Sequence, residues 1–327
     1  VAVAEPDVKR HDRVKALLGA DVRLYADYRD VIGLEDVDAV DIVLPHYLHL
    51  PATLCAAEKR KHVLVEKVMA RNVCECDQMI DACDKAGVSL TVCHDRRYDA
   101  KWIALKEVVD SGALGEIFYW KLEHNQNVVF PEGSWVRSRE GLGGGAIMSC
   151  LTHQIDSLRW YGGEFARVSC MTRVIPERME GETVGVIIGK MKSGALAQLS
   201  INWFTRSNGA RPNDLWYELV HVCGTRGEAY FMSSRGTFVM LHDASDAAAV
   251  SRYGREALDG FAEVPSGTWT GHERCIAEWV KSLRGEPSQV ITSGRHVRGT
   301  VEVAEAAYRS AQSGREIELP INPVPGE

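Results

Sequence analysis

Two segments of this chain hold residues that could do chemistry. The first is HVLVEKV, an apolar run that ends in Glu66 and Lys67. A buried parallel strand ending this way delivers an ammonium group to the carboxyl edge of a sheet, where open α/β folds bind ligands. An ordinary strand-end lysine pointing into solvent is the plain alternative. The second segment is GLGGGAIMSCLTHQIDSLRWYGG, residues 141–163. Three glycines there precede a helix that carries Ser149, His153 and Asp156. At roughly 100° per residue these three share one sector, with Ile147, Leu151 and Leu158 opposite. One face packs, and the other presents a hydroxyl, an imidazole and a carboxylate. Glycines at the start let a ligand or another backbone come close. The alternative is a solvated face that happens to hold a histidine.

The elements that would position these groups follow from periodicity. The first half alternates short apolar strands with helices. VAVAEP opens as a strand, and Arg10 to Leu18 suits a helix ended by Gly19. Asp38 to Pro45 reads as a buried strand, and Pro51 as the start of a helix running to Lys59. His62 to Lys67 and Val88 to His94 are further buried strands, with a helix between them that Gly87 caps. Strands alternating with helices predict a parallel sheet covered on both faces. After about Gly115 the rhythm changes. EIFYWKLEH, ARVSCMTRV, TVGVIIGKM, ALAQLSINW, YELVHVC and TFVML follow in close succession, which predicts a mainly antiparallel sheet. Helices over His272–Leu283 and Arg295–Gln312 close the chain, and the tail PINPVPGE reads as a strap or an unstructured end. The fold class is therefore α/β. A Rossmann-like parallel sheet is expected over 1–114, and an α+β unit with an open, mainly antiparallel sheet over 115–327.

Composition excludes several functions. The chain has 327 residues and a formal charge of −7, without the basic stripe of a nucleic-acid binder. No apolar run is long enough to span a bilayer, and VAVAEPDVKR lacks the layout of a signal peptide. The nine cysteines are odd in number and scattered. That fits reduced thiols in a cytoplasm rather than a disulfide framework.

The order of motifs carries a resemblance. A strand ending Glu-Lys is followed by a strand with a basic-aromatic loop (CHDRRYDAKW). Then come SGALGEI, Trp135-x-Arg137, and the triple glycine with its histidine-bearing helix. This order resembles the Gfo/Idh/MocA family of oxidoreductases, over roughly Val1 to Pro320. The resemblance implies NAD or NADP as cofactor and a small polyhydroxy substrate. It gives Lys67 and His153 the site of hydride transfer. Glu5, at the end of VAVAEP, is implied to bind the adenosine ribose. Pro45, His49 and Glu66 are implied to line the cofactor, with Pro45 and His49 beside the nicotinamide. Arg97, His94, His124, Trp135, Arg137, Ser149 and Asp156 are implied to shape the substrate site. It also implies dimers through the second-unit sheet. The chemistry agrees: a hydroxyl oxidised to a carbonyl loses a proton as its hydride leaves. A histidine titrating near neutrality can take that proton, and a lysine can steady negative charge on the oxygen.

The sequence departs from the family pattern in three places. The strand and G-x-G-x-x-G turn that precede the VAVAEP-like strand have no counterpart near Val1. Two explanations stand: a longer true start, or a lost nucleotide site. Without that strand, two neighbours are expected to lose ladder partners. Glu-Lys-Pro is Glu66-Lys67-Val68, and the usual aspartate before the histidine is Ser149, which supplies no carboxylate to the cluster. The histidines His46, His94, His124 and His153, with Asp95, could bind zinc or manganese. No two lie at i, i+4, so hydrogen bonding to a polyol is the better expectation and no metal is assigned. Beside the oxidoreductase reading stand a cofactor-free lyase, isomerase or hydrolase on a keto-sugar, and a non-catalytic binding subunit.

Overall fold

The structure, a computed structural model, describes residues 1–205 and 216–321. Most of the PINPVPGE tail lies outside the described residues. No described helix is long and apolar enough to cross a membrane.

The parallel strands fall into two groups. β1 (Ala2–Ala4) pairs with β2 (Arg23–Tyr25), and helices α1 (His11–Leu18) and α2 (Tyr28–Ile32) flank this pair. β3 (Ala39–Ile42), β4 (His62–Glu66) and β5 (Leu90–Cys93) form a separate three-stranded parallel sheet. Among the described residues β1 and β3 each have one ladder partner. β1 and β2 are thus a separate pair from β3, β4 and β5. Val43, just past β3, is 68% exposed. β4 is central, and Val63, Leu64 and Val65 are buried. Beyond β5, the backbone N–H of Val92 donates to the Thr292 carbonyl at 2.9 Å, so a returning segment covers that edge.

α3 (His46–Glu58) begins five residues before the expected start, and Pro51 lies inside it. A proline early in a helix removes one ladder bond. The carbonyl left over belongs to Tyr47. α4 (Val73–Ala86) is capped by Asn72 at its start and by left-handed Gly87 at its end.

α5 (Ala100–Asp110) leads into the large sheet. Its order is β13-β12-β11-β10-β6-β9-β8-β7-β14. The central strands are β6 (Ile117–Gln126), β7 (Phe165–Val174), β8 (Glu182–Met191), β9 (Leu196–Asn202) and β10 (Trp216–Gly224). The outer ones are β11 (Gly227–Met232), β12 (Gly236–Leu241), β13 (Ala262–Val264) and β14 (Ile317–Glu318). β6 runs parallel to β9 and the other pairs are antiparallel. Sequence periodicity missed β11, β13 and β14, which are short or glycine-led. Trp120, Leu122 and His124 of β6 point inward, where α7 (Thr152–Gly162) covers the sheet. Later helices are α10 (Gly271–Leu283) and α11 (Gly294–Ser313); α11 packs on α4 and α7 and ties the two sheets together.

The glycine-rich entry to α7 serves the protein itself. A Cβ on Gly144 would meet the Tyr308 hydroxyl at 2.2 Å, and one on Gly145 would meet Glu182 backbone at 2.4 Å. The Tyr308 hydroxyl accepts from the N–H of Gly145 and Met148 and donates to Glu182 Oε1. What approaches these glycines is a side chain and a neighbouring strand, not a ligand.

Candidate functional site

Lys67 joins the helical segment that carries His153. β4 carries Lys67 to its carboxyl end, and Lys67 Nζ donates to the Ser149 carbonyl at 2.6 Å. Ser149 lies in a π-helical turn, Ile147–Leu151, immediately before α7. Such a turn widens the helix by one residue and recurs at functional sites. It shifts the phase between Ser149 and His153, which the regular 100° step did not foresee. Ser149 therefore contributes its backbone oxygen rather than its hydroxyl. The polar face of the helix is also buried rather than presented: Ser149, His153 and Asp156 are all below 9% exposure.

His153 sits among other rings and carboxylates. Its ring stacks with that of His124 at 6.4 Å between centroids and meets His94 edge-on at 6.1 Å. Its Nδ1 is 3.6 Å from Asp95 Oδ1, and neither atom has a hydrogen-bond partner. Asp95 thus supplies the carboxylate that Ser149 cannot. Burial, then the nearby cations Arg96 and Lys67, hold His153 well below the usual imidazole range. The imidazole is neutral at pH 7.

Charged neighbours alternate in sign around this ring. Arg96 donates to Asp95 at 2.6 Å and to Glu218 at 3.0 Å. Glu218 also accepts from Gln154 Nε2 at 3.0 Å and faces His124 Nδ1 at 3.2 Å. Burial alone would raise the Glu218 carboxyl, but Arg96 and His124 bring it below the usual range. Arg96, Gln154 and Glu218 were not singled out by sequence, and Asp95 only as a possible metal ligand. The one available signal was the acid that opens DRR beside His94.

Several expected residues hold the site from behind. Arg97 grips Asp156 with two bonds, at 2.6 and 2.9 Å, and Thr300 donates to the same carboxylate at 2.9 Å. Burial would raise Asp156, and Arg97 outweighs it, so the carboxyl stays ionised. This sealed pair braces the helix and does not offer itself to a substrate. His94 Nδ1 lies 3.6 Å from Asp156, yet neither ring nitrogen of His94 has a partner. Burial keeps that ring neutral too.

His49 is fully buried. Its Nδ1 is 2.8 Å from the Val68 carbonyl and its Nε2 is 2.8 Å from the Leu44 carbonyl. It ties together the loops after β3 and β4, and has no nitrogen left for a cofactor. His46 packs edge-on against Trp135 at 4.9 Å, and burial followed by Lys67 pushes it down to about 3. Arg137 turns away and donates to the Glu177 carbonyl at 3.2 Å. Glu5 closes β1 and accepts from the Asp7 N–H at 2.9 Å. Pro45 caps the start of α3.

Glu66 contacts His272 of α10, with Oε1 3.5 Å from Nε2. The hydrogen bond to Glu66 outweighs burial and raises the His272 imidazole. Among the described residues, Glu66, Cys93 and His272 are one group able to hold a metal ion; His221, Cys223 and Glu228 are another. The four histidines named from sequence do not form such a group.

The buried neutral rings set the acid limit of stability. His46, His49, His94 and His153 have lowered values in the fold, so below the usual 6.5 the unfolded chain binds more protons. Stability therefore falls with pH, by roughly 1 kcal/mol per pH unit for each ring. Asp156 and Glu218, also lowered, add to the loss below about pH 4.5. His272 opposes, because its contribution is present below 6.5 and lost as pH rises through its raised value, and the Asp41 and Glu182 carboxyls, raised by burial, oppose as well. Urea unfolding at about pH 7.5 and about pH 5.5 should show a loss of several kcal/mol. A flat profile would refute the neutral cluster.

Comparison with known proteins agrees with this geometry. Residues 1–94 match the family model described as an oxidoreductase family with an NAD-binding Rossmann fold. Residues 102–230 match the GFO/IDH/MocA C-terminal domain. The myo-inositol 2-dehydrogenase of Thermotoga maritima is 26% identical over 318 residues, 95% of this chain and 89% of that protein. The D-apiose dehydrogenase of Paraburkholderia graminis is 25% identical over 327 residues, 98% of this chain and 82% of its own. A levoglucosan dehydrogenase, solved in complex with NADH and levoglucosan, is 25% identical with a TM-score of 0.81, over 98% of this chain and 90% of that one. With both parts matched, this chain belongs to the Gfo/Idh/MocA family of oxidoreductases.

Proposed function

We propose that this chain oxidises a ring hydroxyl of a sugar, cyclitol or related polyhydroxy compound, with NAD as hydride acceptor. The observation that carries this reading is the Lys67 ammonium bonded to the turn that leads into the helix of a neutral His153, beside unpartnered polar atoms. Buried polar groups without partners await a ligand that completes them, and a polyol is rich in such groups. The inositol and D-apiose dehydrogenases support the substrate class, and the NADH complex of the levoglucosan enzyme supports NAD over NADP.

The carboxyl ends of β1, β3 and β4 would hold the dinucleotide. Glu5 stands where an acid would meet a ribose. Exposed Val43 and Tyr47 give apolar surface beside Pro45 for a flat ring. When bound, the nucleotide supplies a hydride acceptor. The chain's own residues do the rest. His153, with Nδ1 turned to Asp95, takes the hydroxyl proton on Nε2. Asp95 then faces the cationic ring that results. Lys67, fixed by the Ser149 carbonyl, has donors to spare for the substrate oxygen. Residues 1–114 form the nucleotide unit and 115–327 the substrate unit. All nine cysteines are free, which supports a cytoplasmic site.

NAD-dependent oxidation of myo-inositol and hexoses tests the chemistry. His153→Ala and Lys67→Met should each lower kcat/KM by about 10²–10⁴-fold. Full turnover by His153→Ala contradicts the reading, and turnover without nucleotide favours a lyase or isomerase.

The outer face of the large sheet carries Met171, Val186, Ile188 and Leu196. They share that face by register, and Met171 is 81% exposed. A contiguous apolar face of this kind suits a second copy of the chain. Sedimentation of the double variant Met171→Asp with Ile188→Asp should show monomers where the wild type is larger. Unchanged size removes this interface.

A further inference from the structure

β4 and β5 end side by side, and Glu66 and Cys93 are register partners across them. Register partners point to the same face of a sheet. α10 lies on that face, where its Cys275 and Trp279 pack in one cluster with Cys93. His272 stands in the first turn of α10. The helix can come this close because Gly271 has no side chain: a Cβ there would meet the Asp95 carbonyl oxygen at 2.1 Å. The Glu66 carboxylate, the Cys93 thiol and a His272 ring nitrogen are thereby brought within 4.8 Å of one another. The hydride and proton transfers proposed above use none of the three.

The spacing suits a metal ion between these groups. Glu66 Oε1 lies 3.5 Å from His272 Nε2, long for a charge-assisted hydrogen bond of about 2.7–2.9 Å. Two such donors on a tetrahedral zinc, each about 2.0–2.2 Å from it, stand about 3.3–3.6 Å apart. Small rotations of the Glu66 and His272 side chains bring the sulfur in as a third ligand. The other face of the ring is also prepared. His272 Nδ1 lies 3.4 Å from Asp95 Oδ2, and a carboxylate behind a ligating imidazole fixes its tautomer and direction. The donor types choose among metals, because a thiolate and an imidazole suit zinc, whereas magnesium and calcium take oxygen ligands. Cys93 is 2% exposed and the His272 side chain 56%. One side of the site is closed by protein and the other is open to water, as where three protein ligands leave a fourth position free. The Cys275 thiol, then burial, raise the Cys93 thiol above its ordinary value, so binding must expel that proton.

We propose that Glu66, Cys93 and His272 bind a zinc ion, with water in the fourth position and Asp95 orienting the His272 ring. The ion ties α10 to the carboxyl ends of β4 and β5, one residue from Lys67. The site is independent of the oxidoreductase reading, and metal binding is measured without turnover.

Cobalt(II), a spectroscopic stand-in for zinc, is the probe, titrated into the chelator-treated full chain and then displaced by zinc. One equivalent should bind at this site and give the near-ultraviolet charge-transfer absorption of a thiolate ligand, and zinc should remove it. Cys93→Ser should abolish that absorption. His272→Gln changes a half-exposed side chain and spares the fold; it should weaken cobalt about 100-fold. Asp95→Asn should keep the absorption and weaken binding about ten-fold. His221→Gln, in the second group of possible ligands, should leave spectrum and affinity as they are. The site is ruled out if the wild type shows no thiolate absorption, or if His272→Gln binds cobalt as tightly as the wild type. It is equally ruled out if His221→Gln removes the absorption and Cys93→Ser does not.

Discussion

The bond from the Lys67 ammonium to the Ser149 carbonyl joins two parts of the chain that are 82 residues apart. One end is fixed by β4, which is buried and central in its sheet. The other end is fixed by a widened helical turn, whose start is locked by Tyr308 and Glu182. Neither element could supply the site alone. The strand delivers a cation to a sheet edge, and the turn aims a carbonyl at that cation while setting His153 one turn further on. Everything the site can do follows from that meeting.

A buried site with this many charges survives because its carboxylates are paired with arginines. Removing one partner of such a pair exposes the other to a desolvation cost of about 3–5 kcal/mol. Arg97 neutralises Asp156, and Arg96 is shared between Asp95 and Glu218. The imidazoles among them remain uncharged, because burial and nearby cations both disfavour protonation. Strong ion pairs brace the back of the site, while unpaired atoms of His94, His153 and Asp95 remain toward the middle. That division separates residues that build the site from residues that act in it.

The pattern of strands and the two segments that Lys67 joins to the histidine-bearing helix were legible in the sequence, because both rest on local periodicity. HVLVEK reads as a buried strand from its β-branched run alone, and three glycines announce a constrained helix start. The rest depends on distant pairing. Arg97 and Asp156 each looked like substrate ligands, and only packing reveals that they satisfy each other. His49 looked like a cofactor contact, yet its two nitrogens close loops that sequence spacing does not bring together. Asp95 was visible as an acid beside His94, but its place under His153 comes from the turn at Asp95–Arg97. The π-helical turn could not be read from a 3.6-residue period, so the role of Ser149 was assigned to the wrong atom. Proline favours first turns, so Pro51 reads as a helix start, yet it sits inside α3.

The claim on which the account stands is that His153 is held neutral beside Lys67, ready to take a proton. A pH titration of its ring nitrogens by two-dimensional NMR, assigned by loss of the signal in His153→Gln, reads this directly. The account predicts that the ring stays uncharged well below the ordinary imidazole midpoint. Its midpoint should also rise when Lys67 is replaced by methionine. A wild-type ring that titrates at the ordinary value, with no response to Lys67, would contradict it.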